Sequence, residues 1–240
     1  MIRAVLFDLD NTLLTNPTET FVPAYLWALS TYLAPLVPPE QLVAELLRCV
    51  RVMLANTDPT RTLKEVFWAA LLPALPVSEA ELMPLVDRFY AEAYGRLRVY
   101  TRPRPDAPRA VRAAFRAGCD VVIATNPLYP ATAILQRLAW AGVPAEEYPY
   151  ALVTSYEIMH AGKPRPEYFC EIVDRLRRRP EECLMVGDDL AQDMVARAVG
   201  LRTYWITDGL AAVPAQVEAD AWGTLAEFAD WAEAGGLEQL

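Results

Sequence analysis

No glycine precedes Gly95, although the chain of 240 residues contains ten. In that glycine-free part, breaks between segments fall to proline, at Pro35, Pro38, Pro39, Pro59, Pro73 and Pro76. Cysteine is also scarce: Cys49, Cys119, Cys170 and Cys183 lie far apart and form no C-x-x-C pair, which argues against a disulfide framework or a thiolate metal site and for reduced thiols. The chain carries a formal charge of −9 with no basic block, so neither a nucleic acid polymer nor an anionic membrane is an expected partner. No apolar run reaches the roughly 18 residues of a membrane span, and the N-terminus lacks the pattern of a signal peptide. A cytoplasmic protein is the expectation. Lysine occurs only at 64 and 163, among many arginines, so Lys163 is unlike an incidental surface cation.

Up to Thr101 the apolar residues keep helical spacing. Val22, Tyr25, Leu26, Leu29 and Leu33 form one stripe, and Val43, Leu46, Leu47, Val50 and Leu54 a second. Leu63, Val66, Phe67 and Leu71 mark a third helix, and Leu82 through Leu97 a fourth, opened by a Ser78/Glu81 capping box. From Arg102 the pattern changes to short apolar runs, "CDVVIATN", "YALVT", "ECLMVGDD" and "RTYWIT", with helix candidates near 106–117, 129–141, 166–178 and 190–199. Such strands, separated by helices, imply a parallel sheet covered on both faces. Residues 2–7, "IRAVLF", supply a further strand ahead of the helical unit. The expected fold is therefore α/β, a Rossmann-like parallel sheet core (1–14 and 102–240) with an inserted all-helical domain (15–101).

In open parallel sheets, ligands bind beyond the carboxyl ends of the strands. Asp8 and Asp10 follow the first run, Thr125 and Asn126 the second, and Asp188 and Asp189 the fourth, while Lys163 lies in the loop after the third. Singly, each has an ordinary explanation: an Asp after a strand often caps the next helix, and Asp193 suits a first helical turn. Chance does not readily supply all of them in this order at one sheet edge.

The segments "DLDNT", "ATN", "GKPRPEYF" and "VGDDLAQD" resemble the four motifs of the haloacid dehalogenase-like hydrolase superfamily. The resemblance spans the chain, because that family carries a cap domain where the helical insertion sits. It implies Mg²⁺ held by Asp8, the backbone carbonyl of Asp10, and Asp188. An oxygen-only ligand set suits that ion. It also implies that Asp8 attacks phosphorus and Asp10 moves the protons, with Thr125, Asn126 and Lys163 on the phosphate oxygens. Asp193 would orient Lys163 or a metal-bound water, and Asp189 stands where similar proteins often have serine.

An acid at position 10 favours phosphoryl transfer, since dehalogenation leaves no oxygen to protonate. The expected activity is an Mg²⁺-dependent phosphatase acting on a small phosphorylated metabolite. The alternatives are a phosphomutase, a haloacid dehalogenase, and a non-catalytic binding or regulatory protein. His160, the only histidine, reads as a loop or hydrogen-bonding residue. The inserted helices would set specificity, while Arg48, Arg51, Arg61, Lys64, Arg88, Arg96 and Arg98 read as solvated faces.

Overall fold

A computed structural model describes residues 1–210 and 217–239. Its strands are β1 (Ala4–Phe7), β2 (Leu14–Thr15), β3 (Arg102–Pro103), β4 (Asp120–Ile123), β5 (Leu152–Val153), β6 (Cys183–Gly187), β7 (Arg202–Ile206) and β8 (Ala221–Gly223). Its helices are α1 (Thr18–Tyr32), α2 (Pro39–Leu54), α3 (Leu63–Leu71), α4 (Glu79–Arg88), α5 (Ala107–Arg116), α6 (Ala131–Trp140), α7 (Pro166–Leu176), α8 (Leu225–Glu233) and α9 (Gly236–Gln239).

Among the described residues, six strands form one parallel sheet in the order β5–β4–β1–β6–β7–β8. The chain runs outward from β1 through β4 to β5, then returns to lay β6 on the other side of β1. The loops after β1, β4 and β6 therefore open side by side at a switch of strand order, where such sheets bind ligands. Phe7, Ile123 and Val186 stand in register at the last rung before those loops.

Alternation along each strand builds two cores, because successive side chains point to opposite faces. Val5, Phe7, Val121, Ile123, Leu184 and Val186 face one cluster, which α5, α6 and α8 cover. Ala4, Leu6, Val122, Ala124, Cys183 and Met185 face the other, closed by Tyr168, Phe169, Ile172 and Val173 of α7. Burial on both faces explains why these strands read as unbroken apolar runs.

The four helices expected before Thr101 are present as α1 to α4, between β2 and β3. The two connecting segments pair with each other: Leu14 stands opposite Pro103 and Thr15 opposite Arg102 in an antiparallel ribbon. The helical segment also rests on the sheet body, where Leu63 and Lys64 donate backbone hydrogen bonds to Met159 (2.8 Å) and Tyr156 (2.7 Å).

Two sequence expectations need correction. The fourth helix does not run unbroken to Leu97: α4 ends at Arg88, and a π turn (Phe89–Ala93) and a 3₁₀ stretch (Tyr94–Tyr100) follow. There Phe89, Tyr90 and Tyr94 pack against Tyr25, Tyr32 and Trp140, and seating these rings overrides the regular helical repeat. The helix expected over 190–199 is only a 3₁₀ stretch, Met194–Val199, for a reason that lies in the site itself.

Candidate active site

Asp8 leaves the end of β1 into a tight turn. Leu13 and Leu14 both donate their N–H groups back to the Leu9 carbonyl at 2.9 Å, and Asn11 adopts a left-handed conformation (φ 61°) that asparagine tolerates better than most residues. The turn keeps Asp8 and Asp10 at the sheet edge while sending the chain into β2. After β4, the Thr125 carbonyl accepts hydrogen bonds from the hydroxyls of Thr154 (2.7 Å) and Tyr168 (2.8 Å), which fix this segment in the buried interior. After β6, the Asp188 carbonyl accepts from the indole N–H of Trp205 at 2.7 Å, so β7 braces the fourth motif.

These three loops bring the expected residues to one cavity of about 250 Å³. Asp8, Asp10, Thr125, Asn126, Lys163, Asp188, Asp189 and Asp193 all line it. Lys163 reaches in from the loop before α7, and its Nζ lies 2.7 Å from Asp8 Oδ1 and 2.6 Å from Asp193 Oδ1. All three side chains are buried. Asp188 stands close by, with Oδ1 accepting from the Thr12 hydroxyl at 3.2 Å. Carboxylate oxygens of Asp8, Asp188 and Asp193 come within 4.8 Å of one another.

Three carboxylates around one ammonium leave negative charge in excess. Burial, opposed by Lys163 and reinforced by Asp193, Asp188 and Asp10, pushes the Asp8 carboxyl well above the usual carboxylate range. Burial and the neighbouring Asp193 push Asp188 up to about 6. Asp193 is raised by burial too, against the pull of Lys163. Burial works against the Lys163 charge, but Asp193 and Asp8 outweigh it and hold the ammonium above its ordinary pKa. A divalent cation among these oxygens would relieve the repulsion, and the donor set fits Mg²⁺, an ion that prefers oxygen ligands.

The carboxylate of Asp10 turns away from this group. It pairs with Arg137 of α6 and accepts from Asn16 Nδ2 at 2.7 Å. Its side chain makes no hydrogen bond to Asp8, Asp188 or Asp193, although it lines the same cavity. Asp189 accepts hydrogen bonds from the N–H groups of Ala191 (2.8 Å) and Gln192 (3.1 Å). This local bonding competes with helical geometry and delays the helix expected at 190. Asn126 Nδ2 bonds to Gln192 Oε1 at 3.1 Å and lies 3.4 Å from the Lys163 carbonyl, tying the second, third and fourth loops together. His160 lies outside the cavity and sits 2.8 Å from Glu171 through Nδ1, in keeping with the hydrogen-bonding reading.

Sequence reasoning missed Arg137, Thr12, Asn16, Gln192 and Trp205. Arg137 had a signal: it falls within a buried stripe of α6 with Ala133, Ile134 and Leu138, where an arginine needs a partner.

A family model for haloacid dehalogenase-like hydrolases matches residues 2–200. The chain belongs to this family. Among curated proteins, it is 28% identical over 210 residues to N-acetylmuramic acid 6-phosphate phosphatase of Pseudomonas aeruginosa, covering 87% of this chain and 83% of that one. It is 24% identical over 174 residues to the bifunctional riboflavin kinase/FMN phosphatase of Arabidopsis thaliana, covering 65% of this chain but only 44% of the plant protein. Among solved structures, a 2-haloacid dehalogenase from Pseudomonas syringae superposes with a TM-score of 0.63 at 23% identity, over 98% of this chain and all of the other. At that identity the likeness speaks for the fold alone. As a family member the protein is a hydrolase, and no helix of the described residues is long and apolar enough to cross a membrane.

Proposed function

We propose that the protein is an Mg²⁺-dependent phosphatase that hydrolyses a small phosphorylated metabolite through an aspartyl-phosphate intermediate. The observation that carries this reading is the convergence of Asp8, Lys163, Asp193 and Asp188 over one cavity, with a second acid, Asp10, two residues from Asp8. Two curated relatives named as phosphatases support it.

Asp8, Asp188 and the Asp10 carbonyl would hold the cation, with the Asp193 carboxylate close to those of Asp8 and Asp188. When bound, the ion neutralises the carboxylates and the incoming phosphate and polarises the phosphoryl group. Lys163 holds Asp8 Oδ1, leaving the second oxygen to attack phosphorus in line with the leaving oxygen. The bond from Asp8 to phosphorus forms as the ester P–O bond breaks, and the departing oxygen takes a proton from Asp10. Water then attacks the aspartyl phosphate, returns a proton to Asp10 and frees inorganic phosphate. Thr125, the Asn126 N–H and Lys163 stabilise the equatorial oxygens as charge redistributes. Asp10 lines the cavity, and Arg137 holds its Oδ2 there. The helical segment 15–101 would act as the cap: Thr18, Phe21 and Val22 at the start of α1 line the cavity and would face the leaving group.

The test is phosphate release from an aryl phosphate with Mg²⁺ and with chelator. The expected result is turnover that chelation abolishes and that the Asp8→Asn variant lacks. Wild-type activity no greater than that of Asp8→Asn would overturn the enzymatic reading. Release of halide from a 2-haloacid, or an isomerised phosphate ester without free phosphate, would assign the site to the other chemistries of the fold.

A further inference from the structure

We infer that the site selects phosphomonoesters whose leaving group carries no negative charge of its own, an inference that rests on the phosphatase reading. A substrate with a second anionic group, such as a carboxylate or another phosphate, needs a cation in the leaving-group part of the cavity. Among the described residues two cations line the cavity, and each is paired with an aspartate. Lys163 lies between Asp8 and Asp193 at the phosphate end. Arg137 is 1% exposed, pairs through Nη1 with Asp10, and stacks with its guanidinium carbon 4.6 Å from the centre of the Tyr129 ring. Its Nε and Nη2 are sealed from solvent and find no acceptor among the described residues. A ligand anion could reach them only by displacing Asp10 or opening the aromatic packing.

The cations of the helical segment offer no substitute. Arg48 donates to Glu45 (2.6 Å) and to the Ala70 carbonyl (2.8 Å). Arg51, Arg61, Arg88, Arg96 and Arg98 are exposed, and neither they nor Lys64 line the cavity. The wall that would meet the leaving group is instead apolar, from Phe21, Val22, Leu128 and Tyr129, with Asn16 and Thr18 as neutral hydrogen-bonding groups. Acidic side chains outnumber cations around the rest, so a second anion would be desolvated without a partner and would face like charge. Hydroxyl and apolar surfaces suit this wall. A 2-haloacid, itself a carboxylate, meets the same surplus of negative charge.

Matched pairs that exchange a neutral group for an anion test the inference with Mg²⁺ and the full chain. Suitable pairs are 2-hydroxyethyl phosphate against phosphoglycolate, glycerol 3-phosphate against 3-phosphoglycerate, and N-acetylglucosamine 6-phosphate against N-acetylmuramic acid 6-phosphate. The neutral member is expected to have the higher kcat/KM in every pair, by about tenfold or more. Equal or higher kcat/KM for the anionic members overturns the inference while leaving phosphatase activity intact. Calorimetric affinities of the Asp8→Asn variant for the same pairs supply the order without turnover: tighter binding of the neutral members supports the inference, and equal or tighter binding of the anionic ones overturns it. Failure of the wild type to release phosphate from any ester, the aryl phosphate included, strikes the underlying phosphatase reading instead.

Discussion

Replacing Asp188 with Asn separates the charge of the site from its shape. The side chain follows β6 directly, accepts from Thr12, and has its pKa pushed up to about 6 by burial and by Asp193, from an ordinary 3.8. Because the folded-state value lies above the unfolded one, the native protein holds the proton longer. Between about pH 4 and pH 6 the folded state binds more protons than the unfolded state, so stability falls as pH rises through that window. Above it the full burden of the ionised, partly buried carboxylate remains, about 3 kcal/mol at ~1.4 kcal/mol per pKa unit. The group keeps some contact with solvent, so roughly half of that, about 1–2 kcal/mol, is the working figure. Asn is isosteric and neutral, and its carbonyl can still accept from Thr12. Metal-free Asp188→Asn is thus expected to melt above the wild type near pH 7.5 by about 3–6 °C, at ~2–4 °C per kcal/mol for a chain of this size. The gain should vanish near pH 4, where both proteins are neutral at this position. Added Mg²⁺ should raise the wild-type melting temperature through preferential binding to the folded state, and the variant's far less. Thermal melts at both pH values, with and without Mg²⁺, provide the assay. A variant that melts below the wild type at pH 7.5 without metal, or that gains as much from Mg²⁺, refutes the reasoning.

Three other substitutions probe neighbouring contacts. Lys163→Met strips the counter-charge from Asp8 and Asp193 together, and chemical denaturation should show a loss of about 3–5 kcal/mol. Arg137→Met should behave oppositely. It removes a guanidinium with two donors buried without acceptors and leaves Asp10, whose side chain is 29% exposed, able to hydrate. Stability should change by less than about 1 kcal/mol while kcat falls by about tenfold or more, because Asp10 loses the group that positions it. A loss of several kcal/mol on denaturation would contradict that account. Gly187→Ala would place a Cβ 2.1 Å from Asp193 Oδ2. That carboxylate is fixed by Lys163 and by the Asp189 N–H, so it has little room to yield, and a cost of about 1–3 kcal/mol is expected together with lost turnover.

Lys163 and Arg137 also differ in how far the sequence shows them: the stripe of α6 marks Arg137 as buried but does not name its partner. Lys163, Asp8, Thr125 and Asp188 follow or neighbour unbroken apolar runs. A parallel sheet buried on both faces requires such runs and carries their ends to one edge. Position along the chain is then nearly equivalent to position in space. Arg137 instead lies mid-helix, and only the packing of α6 beneath the turn after β1 brings it to Asp10. No rule of local spacing links residues 10 and 137. The same distinction covers Trp205, whose contact with the Asp188 carbonyl depends on β7 lying beside β6, and the paired connectors β2 and β3, whose ends are far apart in sequence. It covers the misread segments as well. Asp189 redirects its own loop through side-chain bonds to Ala191 and Gln192, and the aromatic group around Tyr94 reshapes the end of α4 through partners on other helices. Periodicity reports which face of an element is buried, and is silent on what waits on the other side. In this protein the acids proposed to carry the reaction lie where periodicity speaks, whereas the pairing of Arg137 with Asp10 and of Trp205 with the Asp188 carbonyl is decided by tertiary packing.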